Sequence, residues 1–131
     1  MKSPDIKSQH ILMFRQREKS GLHLICDIKN IQIEYTFSEI MQLMEYVCEE
    51  HQYEILHKSY YKFDDKQAFT ILFLLGESHF SVHTYPEKQT IALDLYTCRE
   101  YEDYNEYYHI LDLLKTYFRC KIVYRIIERE F

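Results

Sequence analysis

The stretch from Ala68 to Thr97 limits the possible folds more than any other part of the chain. It holds three apolar runs separated by two short breaks, Gly76-Glu77-Ser78 and Pro86-Glu87-Lys88-Gln89. Ala68 to Leu75 is almost continuously apolar, as a strand buried within a sheet reads. His79 to Thr84 alternates, with Phe80 and Val82 on one face and His79, Ser81 and His83 on the other. Thr90 to Thr97 opposes Ile91, Leu93 and Leu95 to Ala92, Asp94 and Tyr96. Runs of this length joined by such short breaks predict consecutive antiparallel strands.

The rest of the chain fits around that sheet. Glycine and proline number two each among 131 residues, so most of the chain is expected to be regular structure. Residues 22–28 alternate as a first strand. Thr36 with Glu39 three residues later forms a capping box, and Phe37, Ile40, Met41, Met44, Val47 and Cys48 then recur at helical spacing. Residues 53–63 read as a strand ending in a polar turn, 64–67. A second helix is predicted from Asp103, with Glu106 three residues on and an apolar face of Tyr107, Ile110, Leu111, Leu114, Tyr117 and Phe118. Residues 120–127 close the chain as a strand. This order predicts an α+β fold, a two-layer sandwich with helices packed on one face of an antiparallel sheet. Residues 1–20 read as an N-terminal arm and 21–131 as a single domain, the chain being too short for two cores.

Composition removes several classes of function. The net charge of −5, with no basic block, argues against nucleic acid as partner. No apolar run approaches the length of a membrane span, and the N-terminus lacks the apolar core of a signal peptide. Cys26, Cys48, Cys98 and Cys120 form no CxxC pair, which fits reduced thiols and a cytoplasmic protein. The seven histidines show no metal-ligand spacing, so no metal is expected.

Reactive side chains concentrate in one run. Glu77-Ser78-His79-Phe80-Ser81-Val82-His83-Thr84-Tyr85-Pro86-Glu87 is followed by Asp94-Leu95-Tyr96-Thr97-Cys98. This pattern resembles that around the cleavage serine of S-adenosylmethionine decarboxylase proenzymes of the short prokaryotic type. Weaker similarity runs from Gly21-Leu22-His23-Leu24 to about Arg129. A glycine-glutamate-serine run alone reads as a hairpin; the resemblance makes the 77–78 bond a candidate for self-cleavage. A serine hydroxyl can attack the preceding carbonyl when the peptide is held strained, and Gly76, lacking a Cβ, suits a tight turn. The resemblance implies that Ser78 becomes a pyruvoyl group, the only cofactor, which forms a Schiff base with substrate.

The remaining roles are also implied by the resemblance. Glu77 ends the first fragment. His83 is the processing base that takes the Ser78 α-proton. An odd spacing of five puts the two on opposite faces of a straight strand, so their contact would need a bend near Ser78. His79 is a second candidate base, ranked lower, shaping the turn or pocket. Thr70 stands where a serine usually supports processing, and retains the hydroxyl. Cys98 is the proton donor in catalysis, since a thiol is mostly protonated at neutral pH. Glu87 matches a carboxylate that binds ribose hydroxyls, Phe63 an aromatic that stacks on adenine, and Phe80 contributes backbone contacts and packing. The chain departs from the pattern at Tyr85, usually tryptophan, and at Arg99, usually glycine. The implied substrate is S-adenosylmethionine and the implied assembly a homodimer whose protomers build the active sites together. Two alternatives stay open: an arginine or ornithine decarboxylase on the same scaffold, and an uncleaved regulatory homologue.

Overall fold

A computed structural model describes residues 19–63 and 67–131. The expected arm therefore lies outside the described residues, apart from Lys19 and Ser20, and so does most of the 64–67 turn. The elements in order are β1 (Lys19–Lys29), α1 (Phe37–Glu50), β2 (Ile55–Phe63), β3 (Ala68–Leu75), β4 (Ser78–Tyr85), a 3-10 turn (Pro86–Lys88), β5 (Thr90–Thr97), α2 (Asn105–Phe118) and β6 (Lys121–Glu130). The strands form one six-stranded sheet in the order β2-β3-β4-β5-β1-β6, every neighbour antiparallel.

The expected sandwich is present, with both helices on one face of the sheet. Alternation in the strands sends Leu22, Leu24, Cys26 and Ile28 of β1, Phe69, Ile71 and Phe73 of β3, and Phe80 and Val82 of β4 into the core. They meet Ile40, Leu43, Met44, Val47 and Cys48 of α1 and Tyr107, Ile110, Leu111, Leu114 and Phe118 of α2. Full burial of each large apolar side chain contributes about 1.5–3 kcal/mol. The methionines of α1 thus belong to the core.

The start of α1 follows the expected capping box. Thr36 Oγ1 accepts from the Glu39 amide at 3.1 Å, and Glu39 Oε1 accepts from the Thr36 amide at 2.9 Å. The start of α2 does not. Asp103 accepts from the Asn105 amide at 2.9 Å, but Glu106 does not turn back to close a box. Its carboxylate is held instead by tyrosines and an arginine in the layer beneath (below).

Among the described residues, no helix packs on the other face of the sheet. His57, Leu74, His79, Tyr96 and His23 lie in one row across it; Ser59, Leu72, Ser81, Asp94 and Ile25 form the next. Ile25, Leu72 and Leu74 are exposed there, at 38%, 44% and 51%.

Candidate active site

The hairpin between β3 and β4 is where the backbone is strained. Leu75 pairs with Ser78 across a two-residue turn. Ser78 takes φ +145°, a region nearly reserved for glycine. A non-glycine residue held there costs about 1–3 kcal/mol, and such strain persists only where the surroundings enforce it. Gly76 does not carry the strain, contrary to the role suggested by its missing Cβ: its φ is not positive, and an added Cβ would meet only the flexible Glu54 side chain, 3.0 Å away. The enforcing contacts lie on both sides of the 77–78 bond. The Glu77 carbonyl oxygen accepts from the Cys98 amide at 2.9 Å. The Ser78 hydroxyl lies 3.0 Å from His79 Nδ1.

His79 joins a further set of groups. Its Nε2 lies 3.2 Å from Asp94 Oδ1, and His23 Nε2 lies 2.5 Å from the same oxygen. His23 packs edge-on to His79 and both rings flank Tyr96. Three strands are needed to assemble the set: His79 on β4, Asp94 on β5 and His23 on β1. The three ligand atoms lie within 4.8 Å of one another, close enough for a shared divalent ion, so the expectation of no metal cannot rest on sequence spacing. Both histidine contacts fall on a single carboxylate oxygen at hydrogen-bonding separations, and we describe the set as a hydrogen-bond network.

Arg99 fixes the Glu77 side. Its guanidinium forks onto the Glu77 carboxylate, with Nε 2.6 Å from Oε2 and Nη2 on Oε1. It also reaches Glu106 Oε1 at 3.4 Å and the carbonyls of His51 and Gln52, and stacks over Tyr53. The bonds to Glu77 hold its protonated form well above the usual arginine range. Beneath it, Tyr53 and Tyr101 donate to Glu106, and Thr97 bonds Tyr101 and Tyr107, whose hydroxyl donates to the Leu22 carbonyl at 2.6 Å. Burial pushes the Tyr107 phenol up to about 12 and holds Tyr53 and Tyr101 protonated as well. These bonds tie the end of β5, with Cys98 and Arg99, to α2. Three of the chain's 13 tyrosines are used in this layer.

Cys98 differs from the other cysteines. It is exposed, whereas Cys26 and Cys48 are buried and their thiols are pushed up to about 12 by burial. Cys120 is raised for the same reason. Cys98, Glu77, Ser78, His79, Tyr96 and Arg99 line an open cleft of about 780 Å³, within the size range of small-molecule sites.

The structure sorts the residues singled out in the sequence into two groups. Glu77, Ser78 and Cys98 stand together at one end of β4. Thr70 and His83 pair toward the other, with Thr70 Oγ1 3.0 Å from His83 Nδ1. The bend expected near Ser78 is not present. β4 is hydrogen-bonded on both sides in unbroken register, which leaves no slack for one. Five residues of extended strand separate His83 from Ser78 by about 16 Å. Glu87 is exposed in the turn after β4, and Phe63 ends β2 against Ala68, with its ring 4.9 Å from that of Tyr61. Both belong to the His83 end. The Phe80 side chain, 1% exposed, packs on Phe73 in the core, so only its backbone can face a ligand.

His23 and the clamp of Arg99 were not evident as functional groups in the sequence. His79 and Asp94 do alternate onto the polar sides of their strands, but nothing local brings His23 beside them.

Comparisons with known proteins bear on the family. Residues 22–130 match the family model described as S-adenosylmethionine decarboxylase. The chain is 32% identical over 112 residues to the S-adenosylmethionine decarboxylase proenzyme of Picrophilus torridus, covering 83% of each chain. It is 36% identical over 80 residues to that of Thermoplasma acidophilum, 60% of each chain. The crystal structure of the adenosylmethionine decarboxylase from Aquifex aeolicus is similar at TM-score 0.72 and 27% identity, over 87% of this chain and 93% of that one. The extent of the family match, with the strained serine set among these groups, places the chain in the S-adenosylmethionine decarboxylase family.

Proposed function

We propose that the chain cleaves itself between Glu77 and Ser78 and then acts as a pyruvoyl-dependent decarboxylase of S-adenosylmethionine, yielding the aminopropyl donor for spermidine synthesis. The observation that carries this reading is the state of the 77–78 peptide. Its serine is strained at φ +145°, its carbonyl accepts from the Cys98 amide, and its hydroxyl meets His79. Attack by that hydroxyl relieves the strain, and the Cys98 amide stabilises the oxyanion that develops.

These residues suit a pyruvoyl group at position 78, which supplies a carbonyl able to withdraw electrons from a bound amino acid's Cα. Cys98 is exposed in the same cleft and delivers the proton that replaces carbon dioxide. Cys26 and Cys48 sit in the core, remote from solvent.

Processing and substrate binding need a second copy of the chain. His83, Thr70, Phe63 and Glu87 lie too far along the sheet to serve Ser78 of their own protomer. Two protomers meeting through their helix-free faces would cover Ile25, Leu72 and Leu74 and bring His83 and Thr70 of one to Ser78 of its partner. His83 then takes the Ser78 α-proton in the elimination that follows ester formation, with Thr70 holding its Nδ1.

Intact-mass measurement of the purified protein tests the first step. We expect two fragments divided between 77 and 78, and carbon dioxide release from S-adenosylmethionine in preference to arginine or ornithine. Ser78→Ala should leave a single full-length, inactive species. Cleavage or activity persisting in that variant would sink the proposal.

A further inference from the structure

Self-cleavage requires a group that takes the Ser78 hydroxyl proton and returns it to the departing nitrogen. We infer that His79, oriented by Asp94, is that group, and that His23 fixes Asp94 in place. The inference rests on the reading of Ser78 as the cleavage serine and assigns a first step distinct from the one given to His83.

The geometry has the parts that activate a hydroxyl nucleophile: serine, imidazole and carboxylate in line. Asp94 Oδ1 accepts from His79 Nε2–H at 3.2 Å, which leaves Nδ1 as the bare acceptor facing Ser78 Oγ at 3.0 Å. The tautomer is thus set by the carboxylate. His23 donates to the same Oδ1 at 2.5 Å from the neighbouring strand, so the carboxylate is anchored from both sides. His83 cannot substitute within the chain, because the unbent strand holds it about 16 Å from Ser78, beside Thr70 in another row of the sheet.

In the step itself, Ser78 Oγ attacks the Glu77 carbonyl carbon while its proton passes to His79 Nδ1. The tetrahedral centre collapses with rupture of the carbon–nitrogen bond, and the same proton passes to the Ser78 nitrogen. A carbon–oxygen bond replaces a carbon–nitrogen bond, and no proton is gained or lost. His79 is the catalytic residue here; Asp94 and His23 are positioning residues.

Hydroxylamine separates the steps, since it cuts an ester at position 78 and spares an amide. The full-length chain and five variants, His79→Gln, Asp94→Asn, Asp94→Glu, His23→Gln and His83→Ala, are followed by intact mass with and without hydroxylamine. His83→Ala should accumulate a full-length ester that hydroxylamine cuts between 77 and 78. His79→Gln should stay full length and resistant, with ester formation slowed at least about a hundredfold. Asp94→Asn, whose amide can donate to Nε2 and move the ring proton to Nδ1, should behave like His79→Gln at an unchanged urea midpoint, and Asp94→Glu should regain part of the rate. His23→Gln should be slowed less than Asp94→Asn. EDTA should leave the parental rate unchanged.

The assignment is overturned if His79→Gln, or Asp94→Asn should His79→Gln not fold, forms the ester at the parental rate. Loss of parental cleavage in EDTA with recovery on adding zinc would also overturn it, by making the set a metal site. A parent that never forms ester or fragments would refute the cleavage reading itself, and this inference with it.

Discussion

Arg99 stands where the family resemblance leads one to expect glycine, and it is highly connected beside the proposed cleavage bond. It holds the carboxylate of Glu77 in a fork, braces Glu106 and caps two carbonyls at the end of α1. Removing it leaves two part-buried carboxylates without their cation. Arg99→Ala should therefore cost about 2 kcal/mol, the scale of hydrogen bonds to charged groups, read as a lowered urea midpoint. If, as proposed, Glu77 supplies the carbonyl under attack, self-cleavage should also slow about ten- to a hundredfold, as misplaced reacting groups do. Arg99→Lys should recover only part of the rate, since a point charge cannot form the fork. The motif around Ser78 was legible residue by residue because its members are close in sequence. The clamp was not, because a lone arginine after a strand states nothing about which carboxylates fold beside it.

At the level of elements, the path of β1 decides how Cys98 is held. Gly21 has φ +120°, and a Cβ on it would lie 2.1 Å from the Thr97 carbonyl oxygen and 2.7 Å from the Cys98 Cα. Those neighbours are backbone atoms of the end of β5, which cannot yield without moving Cys98. Gly21→Ala should cost about 3 kcal/mol in urea denaturation and alter the rate at which iodoacetamide labels Cys98. Gly76→Ala should stay within about 0.5 kcal/mol of the parent, because only the Glu54 side chain has to shift. Equal effects of the two substitutions would refute this account of the hairpin and of β1. The helices and strands themselves were readable from periodicity, and the cap of α1 from Thr36 and Glu39. The α2 start misled because Glu106 is drawn into the tyrosine layer by Tyr53, Tyr101 and Arg99, partners up to 53 residues away.

For the whole molecule, the separation of Ser78 from His83 yields a test in mixed dimers. A Ser78→Ala chain keeps His83, and a His83→Ala chain keeps Ser78. Neither should complete processing alone. Co-expressed with distinguishable masses, the two should form dimers in which only the His83→Ala chain is cut. Restoration requires that the base act on the partner's serine. No cleavage in a proven mixed dimer would rule out the shared site.

The sequence by itself determined the element order and the two-layer class, because both are written in short-range spacing, alternation for strands and three-and-four periodicity for helices; the contiguous run around Ser78 carried the family resemblance. Only the tertiary structure decided that β1 lies between β5 and β6, which brings His23 to Asp94 across 71 positions of sequence. It alone revealed that β4 runs straight from Ser78 to Tyr85, leaving His83 beside Thr70. The physical reason is the sheet's hydrogen bonding. Which strands become neighbours, and whether one of them can bend, depends on ladders formed with distant segments, and no local pattern of side chains encodes those partners.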